Sequence, residues 1–283
     1  MRWKKGRRSS NIEDRRGMRM GRGAAVGGGV GILAVVAAMV FGVDPALVTG
    51  ILGGGQQSGQ VQQQPTQQSG QYSEAADFAS VVLADTEDTW NSIFKTANKQ
   101  YQAPKMVLYS GMVQSACGTN SSAAGPFYCP GDYKVYLDLE FLDELKRLGA
   151  HGDFSVAYVI AHEIGHHVQN LIGASRAVRE VQNQVSRTES NALSVMTELQ
   201  ADCFAGVWAH HAHKQRQVLE QGDIQEGLGA AAAVGDDRLQ KMSGRGVHPE
   251  SFTHGTSEQR QQWFLNGLQS GELATCNTFA QAS

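Results

Sequence analysis

The chain is poor in the features that mark several common classes. Only four of its 283 residues are cysteine and none forms C-x-x-C, so neither a thiolate zinc site nor a thioredoxin-type motif is indicated. Charged residues are few, at 18%, while apolar residues reach 41%, enough core to exclude a wholly disordered chain. The 33 glycines follow no collagen period, and many lie before residue 60. There is no internal repeat. An excess of positive charge is also missing. The net charge is −3, and nine of the 24 Lys and Arg residues fall within residues 1–23, which leaves the remainder acidic. A nucleic-acid-binding domain carries its positive charge on the folded part, so no nucleic-acid partner is expected.

What is present begins with residues 24–43 (AAVGGGVGILAVVAAMVFGV), which hold no charged group. About 20 such residues span a bilayer core as a helix. Asp44 and Pro45 stop the run, and all nine flanking bases precede it. The positive-inside rule then predicts an uncleaved, single-pass transmembrane signal-anchor at 24–43. Residues 1–23 become a basic cytoplasmic tail, and the body lies in the periplasm or outside the cell. Residues 44–71 are rich in Gln, Gly and Ser and read as a flexible linker. The folded domain is expected over 72–283.

An even number of cysteines beyond the anchor suggests two disulfides. Cys117 and Cys129 flank a Gly/Ser/Pro loop, which a bridge would staple, and the other pair would then be Cys203 and Cys276. Four cysteines allow three connectivities. Hydrophobic spacing predicts helices over 74–99, 153–171, 190–214, 217–232 and 258–270, and strands over 106–109 and 133–137. Helices dominate and strands are few, so the class is α+β, helix-rich, with a small sheet.

The chemistry is concentrated in residues 161–168, AHEIGHHV, which contain H-E-x-x-H. On a helix, His162 and His166 lie one above the other and can meet one Zn²⁺. Glu163 is rotated by about 100°, beside the metal rather than on it, where a base is needed. The apolar helix around the motif argues against two idle surface histidines, because buried His and Glu are costly unless engaged. Gly165 would leave room for metal and substrate. A catalytic zinc needs a third protein ligand. Glu180, Glu189, Glu198, His210, His211, His213, His248 and His254 lie downstream. Glu198 stands out because Asp202 follows four residues later on the same helix face. One carboxylate can ligate zinc while the other accepts the free ring N–H of a ligating histidine. Near the C-terminus, His254 precedes a helix in a Gly-containing turn and is the best donor for a developing oxyanion, with Arg260 expected to orient His254 or a substrate carboxylate. His167 reads as structural.

The segments AHEIGHHVQN, TELQADCFAGVWA, FYCPGDYKVYLDL and FTHGTSEQR closely resemble the putative neutral zinc metallopeptidase family of bacterial membrane-anchored proteins, and more distantly the gluzincin peptidases. The resemblance implies a zincin-like metallopeptidase domain. It further implies one Zn²⁺ per chain on His162, His166 and Glu198, Glu163 as catalytic base, and Asp202 behind the ligands. The expected activity is a metalloendopeptidase acting on envelope proteins or peptides, anchored in the bacterial inner membrane through residues 24–43. A strand around residues 135–137 would be the sheet edge that receives the substrate. The competing reading is a catalytically silent, zinc-bearing envelope scaffold.

Overall fold

The computed structural model describes residues 1–16, 68–121, 125–244 and 246–281. In chain order its elements are β1 (Ile12–Asp14), α1 (Gln68–Thr96), β2 (Lys105–Tyr109), β3 (Met112–Ser115), β4 (Gly118–Ser121), β5 (Phe127–Cys129) and β6 (Lys134–Asp138). There follow α2 (Phe141–Arg147), α3 (Asp153–Leu171), α4 (Ala174–Gln182), α5 (Arg187–Arg216), α6 (Asp223–Ala233), α7 (Asp236–Met242) and α8 (Ser257–Ser270), with short 3₁₀ turns at Pro249–Ser251, Leu273–Cys276 and Thr278–Gln281. This is a helix-rich α+β domain.

Local chemistry sets the helix ends. Gly173, with φ of 86°, turns the chain from α3 into α4, a left-handed conformation that a side chain would resist. Ser186 and Glu189 form a capping box at the start of α5, and Thr256 and Gln259 do the same for α8. The apolar stripe of α3, from Phe154 through Tyr158, Ile160 and Ile164 to Val168, is fully buried. It packs against the buried face of α5, which carries Leu199, Phe204, Val207 and Trp208. Helix α8 crosses α5 at backbone contact. A Cβ on Gly267 would lie 1.9 Å from the Cys203 carbonyl oxygen, and one on Gly206 2.1 Å from that of Phe264. Disulfide Cys203–Cys276 fastens the C-terminal turn to α5, and Cys117–Cys129 ties the β3–β4 hairpin to the end of β5.

The main sheet has the order β1-β2-β6-β5, with β1, β2 and β6 parallel and β5 antiparallel to β6. The strand around residues 135–137 is therefore interior, bonded on both sides, and is not the expected edge. The edge beyond it is β5, only three residues between Pro126 and Pro130, too short and too broken by proline to register as a strand by pattern, and β1 forms the opposite edge.

The expected membrane arrangement is overturned. Residues 1–16 pack into the same compact unit as the body. The Met1 ammonium is paired with Asp153 at 2.6 Å and Asp223 at 3.3 Å, and the Arg2 N–H donates to the Val218 carbonyl. Trp3 packs edge-on against Phe78, Arg7 binds Glu87 and Asp88, Arg8 binds Asp77, and β1 extends the sheet beside β2. These bases read as a cytoplasmic topology signal because their partners, remote in sequence, are invisible to composition. A segment built into the domain cannot also lie across a bilayer from it, so the single-pass inner-membrane topology with a cytoplasmic tail and periplasmic body is withdrawn. With it go the membrane partner, the membrane-anchored description and the transmembrane helix preceding the domain. Residues 24–43 and most of the linker lie outside the described residues. Among the described residues no helix is long and apolar enough to cross a membrane.

Candidate metal centre

Helix α3 stacks His162 and His166 one turn apart, their rings edge to face with centroids 4.7 Å apart. Helix α5 supplies Glu198 from across the core. The approach of the two helices depends on Gly165, where a Cβ would sit 2.8 Å from the Ala201 carbonyl oxygen and 3.1 Å from its Cα. Its lack of a side chain therefore serves the helix contact, not the room for metal and substrate read from the motif alone.

Three donor atoms converge. His162 Nε2 and His166 Nε2 lie 3.1 Å apart, His162 Nε2 is 3.1 Å from Glu198 Oε2, and His166 Nε2 is 3.3 Å from Glu198 Oε1. The other nitrogen of each ring is already committed. His162 Nδ1 donates to Asp202 Oδ1 at 2.7 Å, and His166 Nδ1 donates to Gln169 Oε1 at 2.9 Å. Gln169 must accept there, because its amide nitrogen donates to the Thr197 carbonyl and to Gln200. With each Nδ1 donating, both Nε2 atoms face a carboxylate, an arrangement that calls for a cation between them, either a proton on the ring or a metal ion in its place. A tetrahedral zinc with ligands at about 2.0–2.1 Å separates them by ~3.3 Å. The donor set and its spacing fit that ion.

A second layer holds the first. Asp202 is fully buried and accepts from the Tyr158 hydroxyl, from Arg260 Nε at 2.8 Å and from Arg260 Nη2 at 2.9 Å. Arg260 thus braces Asp202, not His254. Sequence reasoning missed Tyr158 and Gln169, although each lies one helical turn from a motif histidine. Burial works against the Glu198 carboxylate, yet the His166 and His162 rings outweigh it and hold it well below the usual range. Burial likewise opposes a charge on His162, but Asp202 prevails and pushes the ring up to about 10. Glu163 is 8% exposed, and burial raises its carboxyl above the ordinary value against the pull of both rings. It takes a backbone hydrogen bond from Tyr128 on β5.

His167 holds that edge strand in place. Burial pushes it down to about 4, so it is neutral at pH 7. Its Nε2–H donates to the Gln102 carbonyl at 2.6 Å, and its Nδ1 accepts from the Tyr128 hydroxyl at 3.0 Å.

These groups open on a cleft of about 620 Å³. One wall is apolar, with Pro126, Phe127 and Phe141. His254 lines the cleft beside Glu163, Glu198 and Arg260. Its loop is gathered by Asp236, whose Oδ2 accepts from the backbone N–H groups of Thr253, His254 and Gly255, while Oδ1 lies 3.3 Å from His254 Nδ1. The hydrogen bond to Asp236 raises the imidazole above its ordinary value. Asp236 was also missed; it lies 18 residues before His254 and no motif joins them. The other downstream candidates go elsewhere. Glu189 caps α5, His210 and His211 bond carbonyls of Leu268 and Gly271, and the exposed His248 faces Glu250. A second acidic cluster, Asp153, Asp223 and Glu226, lies where the Met1 ammonium docks.

Residues 1–279 match the model of the family described as "Putative neutral zinc metallopeptidase". The chain is 50% identical over 295 aligned positions, covering all of both chains, to the uncharacterized protein YpfJ of Escherichia coli K12. It is 42% identical over 217 positions, 72% of each chain, to the uncharacterized proteins Rv2575 of Mycobacterium tuberculosis and Mb2605 of Mycobacterium bovis. No solved structure matches.

Proposed function

Because this chain belongs to the putative neutral zinc metallopeptidase family, we propose that it is a zinc-dependent endopeptidase. The observation that carries the reading is the trio of converging donor atoms on His162, His166 and Glu198, with each histidine held by a partner behind it and the buried Glu163 carboxylate alongside. Zinc held there would supply Lewis acidity to a scissile carbonyl and to a nucleophilic water. Glu163, raised by burial, takes the proton from the attacking water and returns it to the leaving amine. His254, across the same cleft, donates to the carbonyl oxygen as negative charge develops. Asp202 fixes the tautomer and orientation of His162, Gln169 does the same for His166, and Arg260 with Tyr158 fixes Asp202. Edge strand β5 leaves the backbone groups that neither β6 nor Glu163 uses to an extended peptide, which favours a polypeptide as the substrate class.

The test is cleavage of an unfolded protein or a peptide library by the zinc-loaded protein, with and without chelator. Chelation and Glu163→Gln should each abolish turnover, while Glu163→Gln keeps stoichiometric zinc. Undiminished cleavage by Glu163→Gln would refute the mechanism, and zinc binding without cleavage in any library would leave the silent scaffold as the surviving reading.

A further inference from the structure

The cleft has a second chemical feature that the metal centre does not use. Helix α4 forms one wall, presenting Ser175, Val178, Arg179 and Gln182. These positions are spaced i, i+3, i+4 and i+7, a single helix face. That face is held in place, since Gln182 Nε2 donates to the Ser190 carbonyl at 3.0 Å and to Ser194 Oγ at 2.9 Å on α5. Basic side chains lining the cleft are His162, His166, His254, Arg260 and Arg179. The first two face Glu198, His254 faces Asp236, and Arg260 is spent on Asp202. Arg179 is exposed and, among the described residues, has no carboxylate partner. The cleft's own acids, Glu163 and Glu198, belong to the metal centre. Arg179 shares the cleft lining with Tyr128 of the edge strand.

We propose that Arg179 builds a substrate subsite for a carboxylate, so that the enzyme favours peptides placing an acidic group against α4 while apolar residues run along Phe127 and Phe141. An uncompensated guanidinium in a concave wall is a fork for two parallel hydrogen bonds to a carboxylate. The carboxylate can be an Asp or Glu side chain or a substrate's C-terminus. This inference rests on the peptidase reading for its choice of ligand, and it is tested by binding as well as by turnover.

The experiment uses the Glu163→Gln protein loaded with zinc and fluorescent apolar hexapeptides read by anisotropy. One set is C-terminally amidated and carries Asp, Asn or Lys at each position in turn; a second carries Asn and a free C-terminal carboxylate. At one position the Asp peptide should bind about tenfold more tightly than its Asn twin. Arg179→Ala should bring that ratio to about one, and Arg179→Glu should invert it in favour of Lys. A tenfold gain confined to the free C-terminus, and lost in Arg179→Ala, supports the same subsite reading a chain end. Thermal melts of both variants check that α4 remains folded. Ratios that Arg179→Ala leaves unchanged overturn the inference, and cleavage by the Glu163 parent then still upholds the peptidase. Arg179-dependent carboxylate binding with no cleavage by that parent preserves the subsite and removes the peptidase. Absence of binding by every peptide overturns the subsite.

Discussion

Replacing Gly165 by Ala tests whether the metal centre is set by helix packing. In an isolated helix the change would help by about 1 kcal/mol. Here the new methyl would lie 2.8 Å from a backbone carbonyl oxygen, and ordinary contact begins at 3.4 Å, so α3 and α5 must separate by about 0.6 Å. Backbone cannot swing aside as a long side chain does. Overpacking of this kind costs about 1–3 kcal/mol, which leaves a net loss between zero and ~2 kcal/mol. The larger effect falls on the metal. Glu198 rides on α5 three residues before Ala201, while both histidines ride on α3, so the two sides of the donor triangle that meet at Glu198, 3.1 and 3.3 Å, both lengthen. A constellation of this kind tolerates about 0.5 Å. Zinc affinity should fall on the order of tenfold, with a modest drop in melting temperature. Competition with a chromogenic chelator, alongside thermal denaturation of the metal-free protein, measures the two separately. A Gly165→Ala protein that melts higher and binds zinc as tightly as the parent would refute the argument that this glycine sets the helix approach.

Two further outcomes follow from the geometry. Asp236 raises His254, so the charged imidazole persists above its ordinary 6.5 and is lost as pH climbs through the raised value; the alkaline limb of kcat/KM should follow it, and Asp236→Asn should move that limb to lower pH. The Met1 ammonium is raised above 8.0 against the pull of burial, so its contribution is complete below pH 8.0 and fades as pH passes the raised value. An N-terminal extension that replaces the ammonium by a peptide N–H should cost about 1–2 kcal/mol, discounted because Asp153 and Glu220 are 36% and 49% exposed, and the difference from the parent should shrink at high pH in denaturant melts.

What could be read from the sequence was what is periodic or local. Helix α3 shows its bounds because its apolar stripe runs unbroken from Phe154 to Val168 and Gly173 ends it. Glu198 and Asp202 are singled out by the same four-residue spacing that separates the histidines. What escaped depends on the partner. Gly165 looks like open space until α5 is laid against it, and Arg260 looks free to reach His254 until Asp202 is found in its way. Edge strand β5 carries no pattern because three residues between two prolines cannot show a period. The arginines of residues 1–16 announce charge but not that Asp77, Glu87 and Asp88 await them.

That N-terminal strap has a consequence for how the molecule is made. Its docking partners are Val218, Asp153 and Asp223, and its strand needs β2, so residues 1–16 leave the ribosome well before the residues that seat them. Closing contacts more than 200 residues apart is slow compared with forming the α3–α5 pair, which is comparatively local. A nascent chain should therefore bring His162, His166 and Glu198 together before residues 1–16 are stowed, passing through a stage with the acidic seat at the start of α3 vacant and the edge of β2 bare.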